Sequence, residues 1–238
     1  MSEHTVKAFT EQLEALSALV AQMGGLAEAQ FAAAIEAVAR RDSQAAEGAV
    51  GGDARIDAIQ QDIEDRALKL LALRQPMAVD LRETMAAIKI AAELERIGDL
   101  AKNIAKRALV LNREPPIRLT QSLARMGKAA LSQLKQVLDA FSSRNAEEAE
   151  SVWQRDGEID EIYNSLFREL LTYMMGDPRT ITPGAHLLFI AKNLERIGDH
   201  ATNIAEIIHF EITGQVTPGE RPKWDPLNRP PAERPKEG

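Results

Sequence analysis

Four pairs of acidic residues are the groups in this sequence whose type and spacing could do chemistry. Two of the pairs belong to a repeated motif, LERIGDLAKNIA at residues 94–105 and LERIGDHATNIA at residues 194–205. In every pair the two acids lie four positions apart, so on a helix they share one face, one turn from each other. The pairs are Asp53/Asp57, Glu95/Asp99, Asp156/Asp160 and Glu195/Asp199.

Carboxylates arranged in this way are suited to a hard cation. Oxygen ligands select Fe³⁺, Mn²⁺, Mg²⁺ or Ca²⁺ over metals that prefer thiolates. Like charges one turn apart cost a helix about 0.2–0.5 kcal/mol per pair, so four such pairs at matching places favour a neutralising cation. The acids fall on the opposite side of the helix from Leu94 and Ile97, and we expect them to point away from the core. The alternative is a solvated surface, balanced by Arg96, Lys102 and Arg196.

The elements that carry these pairs are predicted to be long helices. Apolar residues recur every three or four positions, as Phe9, Leu13, Leu16 and Val20 do near the start. This period is typical of amphipathic helices. The pattern is interrupted at Asp42, Gln75-Pro76, Glu114-Pro115-Pro116, Ser143-Arg144-Asn145 and Gly176-Asp177-Pro178. The sequence therefore predicts an all-α protein of six long helices, with Asn145 and Thr182 as helix caps.

The second half of the sequence repeats the first. Met23 aligns with Met126, and DARID at residues 53–57 aligns with DGEID at residues 156–160. Helices four to six thus correspond to helices one to three, which predicts a tandem duplication of a three-helix bundle. We call residues 5–112 unit one and residues 117–213 unit two.

The last segment, residues 214–238, differs from both units. It contains six of the eleven prolines in the chain and almost no apolar periodicity. Such a composition is typical of a disordered or extended tail.

Composition excludes several classes of site. The chain of 238 residues has no cysteine, so disulfides, thiolate metal sites and cysteine nucleophiles are absent. A net charge of -7 argues against binding to nucleic acid or to an anionic membrane surface. The amino terminus lacks the basic and apolar regions of a signal peptide, and we expect a soluble cytoplasmic protein.

The four histidines do not have the spacing that a histidine-containing metal or catalytic site requires. Among the four histidines, only His209 follows a glutamate, Glu206, at the E-x-x-H spacing of di-iron bundles, and its counterpart in unit one is Lys106 followed by Leu109. The sequence also has no glycine-rich phosphate loop and no nucleophile next to a base. We therefore predict that the protein is not an enzyme. A ferritin-like metal-binding or redox bundle and a metal-free helical scaffold remain as alternatives.

Three stretches together identify a family resemblance. They are RQPMAVDLR at residues 74–82, AELERIGDLAKNIAKRA at residues 92–108 and AKNLERIGDHATNIAE at residues 191–206. They resemble the PhoU family, the accessory and regulatory proteins of bacterial phosphate-specific transport. The resemblance extends over residues 5–213.

The resemblance implies both a site and a role. It implies multinuclear metal clusters, of iron or zinc with manganese or magnesium as alternatives. Carried over by position, the ligands are Asp53, Asp57, Glu95, Asp99, Asp156, Asp160, Glu195 and Asp199. It also implies a non-catalytic adaptor that links the PstB-like ATPase subunit of a phosphate ABC transporter to a PhoR-like sensor histidine kinase, and so restrains the phosphate-starvation response.

The same resemblance implies a homodimer in the cytoplasm, which reaches the membrane only through these partners. One element departs from the repeat. Asp80-Leu81-Arg82 of unit one has no equivalent around Thr182-Pro183 of unit two, so any contact that it makes is expected to be one-sided.

Overall fold

Helices make up nearly all of the chain that the structure describes. The structure is a computed structural model, and it describes residues 3–74, 76–116, 119–217, 219 and 221. Within these residues the helices are α1 Glu3–Arg40, α2 Ser43–Gly51, α3 Asp53–Arg74, α4 Val79–Leu111, α5 Thr120–Ser143, α6 Ala146–Gln154, α7 Gly157–Gly176 and α8 Ile181–Thr213. A short 3₁₀ helix, Pro178–Thr180, precedes α8. The predicted all-α duplication is confirmed.

The predicted second helix of each unit is divided into two pieces. In unit one, α2 ends at Gly51 and α3 begins at Asp53. In unit two, α6 ends at Gln154, and Asp156 immediately precedes α7. Each break therefore places an acidic residue at the start of a helix, where the backbone N–H groups favour negative charge.

Side-chain caps start the first piece of each divided helix. The carboxylate of Asp42 accepts hydrogen bonds from the backbone N–H groups of Gln44 and Ala45 at the start of α2. The Asn145 side chain accepts the equivalent bonds from Glu147 and Glu148 at the start of α6. Both residues satisfy N–H groups that a helix terminus leaves without partners. The predicted cap at Asn145 is confirmed.

The predicted cap of the last helix is wrong by two residues. The α8 helix begins at Ile181, so Thr182 lies in its first turn. The reason is the preceding 3₁₀ turn, in which the Asp177 carboxylate accepts a hydrogen bond from the backbone N–H of Arg179. The helical path therefore starts earlier, and Pro183 is tolerated because an N–H in the first turn has no helical partner.

The two units pack against each other through their longest helices. The α4 helix contacts α8, and α1 contacts α5. Arg82, near the start of α4, donates to the backbone carbonyl of Glu211 near the end of α8, whereas Arg107 near the end of α4 lies over the ring of Phe189 near the start of α8. The α4 and α8 helices are therefore antiparallel. Whether the contact of Arg82 has no equivalent in unit two stays a prediction.

The first helix supplies much of the core of unit one. Its segment Phe9–Arg40 is long and apolar enough to cross a membrane by length and composition. In this fold, however, Leu16, Val20, Met23 and Phe31 are almost completely buried, and the helix packs on α4 and α5. Burial of this stripe inside a bundle accounts for its apolar character.

A buried carboxylate lies where the two units meet near the start of α4. The side chain of Glu211 is only 5% exposed, and Oε1 lies 3.3 Å from Nη2 of Arg144. The same guanidinium bonds Glu83 through Nη1 at 3.1 Å. Burial raises the pKa of Glu211 to about 7; Arg144 lowers it in part, and Glu83 raises it further. One arginine thus serves two carboxylates on different helices.

Stability is expected to fall with rising pH because of Glu211. Its folded pKa of about 7 exceeds the ordinary value of 4.5, so between these pH values the folded state binds a proton that the unfolded state has released. The contribution is complete below pH 4.5 and is lost as the pH passes the folded pKa, at a cost of up to about 3 kcal/mol. Denaturant unfolding of Glu211→Gln should therefore show a gain relative to the parent that grows between pH 5 and 8.

The matched control for this prediction is Glu158→Gln. It removes the same charge from a side chain that is 58% exposed, and its stability relative to the parent should vary much less over this range. A difference between Glu211→Gln and the parent that is independent of pH would contradict the assignment.

Candidate functional site

The four predicted acids of unit one lie between α3 and α4. Asp53 is buried at the first position of α3, and Asp57 is exposed one turn further along. Glu95 and Asp99 face them from α4. Burial raises the pKa of Glu95, and the nearby carboxylates of Asp99, Asp57 and Asp53 raise it further. The pairs on the two helices are therefore close enough to repel each other.

A lysine neutralises this unit-one acidic cluster. The ammonium of Lys102, one turn beyond the LERIGD sequence, makes an ion pair with Asp53 and lies 3.5 Å from Oδ1 of Asp99. The hydrogen bond to Asp53 raises the pKa of Lys102, so the ammonium stays charged. For Asp57, burial and Asp53 raise the pKa, and only Lys102 lowers it.

An arginine from outside the repeat neutralises the unit-two acidic cluster. Arg221 lies beyond the end of α8, in the segment predicted as a tail. Its Nε and Nη2 each donate to Asp156 at 2.7 Å, and Nη2 also donates to Oδ1 of Asp199 at 3.0 Å. Burial alone would lower the pKa of Arg221, but the hydrogen bonds to Asp156 raise it.

The other two acids of unit two are Glu195 and Asp160. The carboxylate of Glu195 pairs with Lys192 at 2.7 Å, one turn earlier on α8. Asp160 lies one turn into α7 and accepts a hydrogen bond through its backbone carbonyl from Asn164. Arg221 therefore bridges the acid at the helix break, Asp156, and the acid of the LERIGD sequence, Asp199.

The helical pattern predicted that the acids of the LERIGD sequences point away from the core. Several of the acids are instead largely buried. Side chains of Asp53 and Asp156 are 11% and 3% exposed, and those of Glu95 and Glu195 are 21% and 13% exposed. The prediction was wrong for Glu95 and Glu195 because α3 packs on α4, and α7 on α8, so that these acids line a helix–helix seam. Buried carboxylates require partners, and Lys102 and Arg221 provide them.

The side chains as they lie do not fit a metal ion. Among the residues that the structure describes, no group of three or more histidine, aspartate or glutamate side chains is arranged to hold one. The ammonium of Lys102 and the guanidinium of Arg221 draw the carboxylates around themselves instead. Metal binding by the eight acids stays a prediction.

One difference between the two LERIGD copies explains why the neutralising cations come from different places. Lys102 of unit one corresponds to Thr202 of unit two. Thr202 is completely buried, and its hydroxyl accepts a hydrogen bond of 3.0 Å from Nε2 of Gln133. The equivalent Gln30 instead donates to the backbone carbonyl of Ala49. Unit two thus has no basic residue at this helix position, and Arg221 supplies the charge.

The second difference, Leu100 against His200, lies where the units meet. Nδ1 of His200 is 2.6 Å from Oε2 of Glu93 on α4, and Asn203 donates to the same oxygen at 3.0 Å. Burial alone would raise the pKa of Glu93, but these bonds from His200 and Asn203 lower it. Leu100 is buried instead. The two copies of the motif therefore contribute different side chains, His200 and Leu100, at this position.

A glycine sets the distance between α7 and α8. A Cβ at Gly198 would lie 2.7 Å from Cδ1 of Ile159 and 3.3 Å from Oε1 of Gln133. Gly98 has the same type of neighbours in unit one, Ile56 and Gln30. Both glycines permit close helix packing, and this packing brings the acids of neighbouring helices together.

Sequence reasoning identified the acids but missed Arg221. Its position in a proline-rich segment without helical periodicity gave no signal of a contact. The sequence indicated Lys102 only as one of several basic residues that balance the acidic surface. A more specific signal existed in the comparison of the repeats, because replacement of a lysine by a threonine at a shared acidic site removes a counterion.

Comparisons with known proteins place these features in a family. The family model described as the PhoU domain matches residues 20–108 and 123–208. A phosphate-specific transport system accessory protein PhoU homolog of Caulobacter vibrioides is 59% identical over 230 residues, which cover 96% of this chain and 100% of that protein. The Escherichia coli phosphate-specific transport system accessory protein PhoU is 37% identical over 215 residues, covering 90% and 89%.

A solved structure gives the same result. The crystal structure of PhoU from Pseudomonas aeruginosa superposes with a TM-score of 0.85 at 37% sequence identity, covering 87% of this chain and 100% of that chain. The similarity therefore extends over both repeats.

Substitution Gly198→Ala is expected to lower the stability of the protein. Alanine gains about 1 kcal/mol in helix propensity, but the added methyl group must displace Ile159, and overpacking costs about 1–3 kcal/mol. We expect a net loss of about 1 kcal/mol in the free energy of unfolding, measured by urea denaturation.

The matched control is Gly25→Ala in α1. A Cβ at Gly25 would meet nothing within 4 Å, so this variant should gain up to about 1 kcal/mol from propensity alone. Equal effects of the two substitutions would show that Gly198 does not set the helix spacing.

Proposed function

The chain belongs to the PhoU family, and on that basis we propose that it restrains the phosphate-starvation response when phosphate is plentiful. The single observation that carries the proposal is the match of the family model to both repeats, residues 20–108 and 123–208. Homologues in this family are accessory proteins of phosphate transport, and the chain has a role in the regulation of phosphate transport.

The role is regulatory and not catalytic. The PhoU family consists of non-catalytic accessory proteins, which confirms the prediction that the chain is not an enzyme. Family membership also favours the adaptor over the ferritin-like alternative. The protein must therefore act by contact with other proteins.

Two exposed apolar surfaces support a linking function. Each lies at the turn between the second and third long helix of a unit. Tip one comprises Leu73, Met77, Val79 and Leu81, and tip two comprises Leu171, Tyr173, Met175 and Ile181. Met77 is 79% exposed and Met175 is 85% exposed. Clusters of large exposed apolar side chains are typical of protein interaction sites.

The antiparallel packing of α4 and α8 places these tips at opposite ends of the molecule. Tip one lies at the start of α4 and tip two at the start of α8. Each helix has 33 residues, so it is about 50 Å long. Two partners can therefore bind at the same time without contact between them.

We assign these partners as the ATPase subunit of a phosphate ABC transporter, PstB-like, and a sensor histidine kinase, PhoR-like. Both present cytoplasmic domains, so the protein would be cytoplasmic and would reach the inner face of the membrane only through them. A homodimer is part of the same proposal. In a dimer each partner would be bound twice, which strengthens weak contacts through multivalency.

Metal binding is a separate part of the proposal. The eight acids supply oxygen ligands of the type that iron, manganese and magnesium accept, and zinc also binds carboxylates. The residues would be Asp53, Asp57, Glu95, Asp99, Asp156, Asp160, Glu195 and Asp199. A metal ion requires Lys102 and Arg221 to move aside first, since both now occupy the clusters.

Deletion of the gene should release the phosphate-starvation response. We expect alkaline phosphatase activity in phosphate-replete cells to rise several-fold in the deletion strain, and to return to the parental level when the gene is restored. A strain that carries the Glu95, Asp99, Glu195 and Asp199 to alanine version tests whether the acidic clusters contribute. Low activity in the deletion strain would contradict the restraining role.

Substitutions at the two tips should separate the partners. Leu73→Ser with Met77→Ser alters tip one, and Met175→Ser with Ile181→Ser alters tip two. Each double variant should lose co-purification with one partner, the ATPase subunit or the kinase, and keep the other. Leu68→Ser, at a side chain that is 60% exposed on α3 outside the tips, is the control. Retention of both partners by both double variants would exclude the tips as contact sites.

A further inference from the structure

The segment after α8 carries a guanidinium into the unit-two acidic cluster. We propose that Arg221 is a built-in counterion, which occupies this cluster and so excludes cations from solution. The inference rests on the geometry around Arg221 and does not depend on the proposed role in phosphate signalling.

The contacts of Arg221 match those of a bound cation. Its Nε and Nη2 form a two-pronged pair with both oxygens of Asp156 at 2.7 Å. Nη2 reaches Asp199 at Oδ1, 3.0 Å away, and at the backbone carbonyl, 3.2 Å away. Nη1 donates to Oδ1 of Asn203 at 2.9 Å. Each of these hydrogen bonds is to an oxygen; Asp156 lies at the N-cap of α7, and Asp199 and Asn203 lie on α8.

Burial of Arg221 and Asp156 prevents a second cation from binding beside the guanidinium. The Arg221 side chain is 19% exposed, and the Asp156 side chain beneath it is 3% exposed. A buried carboxylate without a partner is costly. Loss of Arg221 would therefore leave the buried Asp156 carboxylate without a positively charged partner. A metal ion could take this place only if the guanidinium were absent.

The segment that carries Arg221 follows α8 directly. Gly214 ends α8 in a left-handed conformation, with φ +71, and the chain turns back so that Arg221 reaches Asp199 and Asn203. Between them the segment covers a cavity of about 340 Å³, lined by Trp153, Glu206, Phe210, Val216, Thr217 and Gly219, among others. Among the described residues of this segment, Arg221 makes the ion pairs with the acidic cluster.

The unit-one cluster differs in how it could open. Its cation, Lys102, belongs to α4 itself and is 27% exposed. Rotation of one flexible side chain would free Asp53 and Asp99, whereas the side chain of Arg221 is held at once by Asp156, Asp199 and Asn203. The two clusters are thus related in sequence but unequal in access.

Binding of Mn²⁺ to the purified full-length protein tests the proposal. Free Mn²⁺ is followed by electron paramagnetic resonance during titration of the parent and of Arg221→Gln. We expect the variant to gain a Mn²⁺ site about tenfold or more tighter than any that the parent shows at the same cluster. The added site should disappear when Asp156→Asn is combined with Arg221→Gln, since Asp156 is its central ligand.

A matched control separates this effect from a change in net charge. Arg179→Gln removes the same charge from a side chain that is 90% exposed and pairs with Asp177. It should leave Mn²⁺ binding unchanged. Equal binding by the parent and Arg221→Gln, or an equal gain in Arg179→Gln, would overturn the proposal.

Thermal unfolding gives a second readout. In the presence of a chelator, Arg221→Gln should melt below the parent because Asp156 has lost its partner. Addition of Mn²⁺ should then raise the melting temperature of the variant more than that of the parent, since a ligand that binds only the folded state stabilises it. No Mn²⁺-dependent shift in a folded variant would overturn the proposal. This test does not use the phosphatase assay in cells. The counterion role of Arg221 and the restraining role in phosphate signalling can therefore be contradicted independently.

Discussion

The antiparallel packing of α4 against α8 is the contact on which the rest of the molecule depends. These two helices carry the LERIGD sequences, and the other helices of each unit pack around them. Their opposite directions put the ends of the two units at opposite ends of the protein. A parallel arrangement would bring both apolar tips to one end, where two partners would compete for space.

The acidic clusters follow from the way in which the divided helices meet this central pair. Each break puts an aspartate, Asp53 or Asp156, at the start of a helix, and a glycine lets that helix approach closely. The carboxylates of Asp53, Glu95, Asp156 and Glu195 then lie in a seam of low exposure, where repulsion between acids is costly unless positive charge is present. Burial and three neighbouring acids raise the pKa of Glu95, as expected for a carboxylate that other carboxylates repel.

Duplication did not leave the two units equivalent. In unit one, Lys102 on α4 itself neutralises the clustered carboxylates. Unit two has Thr202 at that position, and Arg221 from the segment after α8 supplies the positive charge. The contact between the units is unequal as well, since His200 bonds Glu93 while its counterpart Leu100 packs in the core. An acidic site of common origin has therefore acquired two different electrostatic environments.

The sequence by itself determined the helices, the duplication and the positions of the acids. These are local properties, because a period of three to four residues reports which face of a helix is apolar, and a repeated motif reports common origin. The same pattern could not say what covers the acidic face. It predicted only that Glu95 and Glu195 point away from the core, and the tertiary structure places a neighbouring helix beside them.

Only the tertiary structure decided which cation meets which acid and where the two apolar tips lie. Arg221 and Asp156 are 65 residues apart in sequence, and no periodicity connects them. Their pairing depends on the path of the chain after Gly214, and the separation of the apolar tips depends on the relative direction of α4 and α8. Contacts between distant segments are set by packing, which a local pattern does not encode.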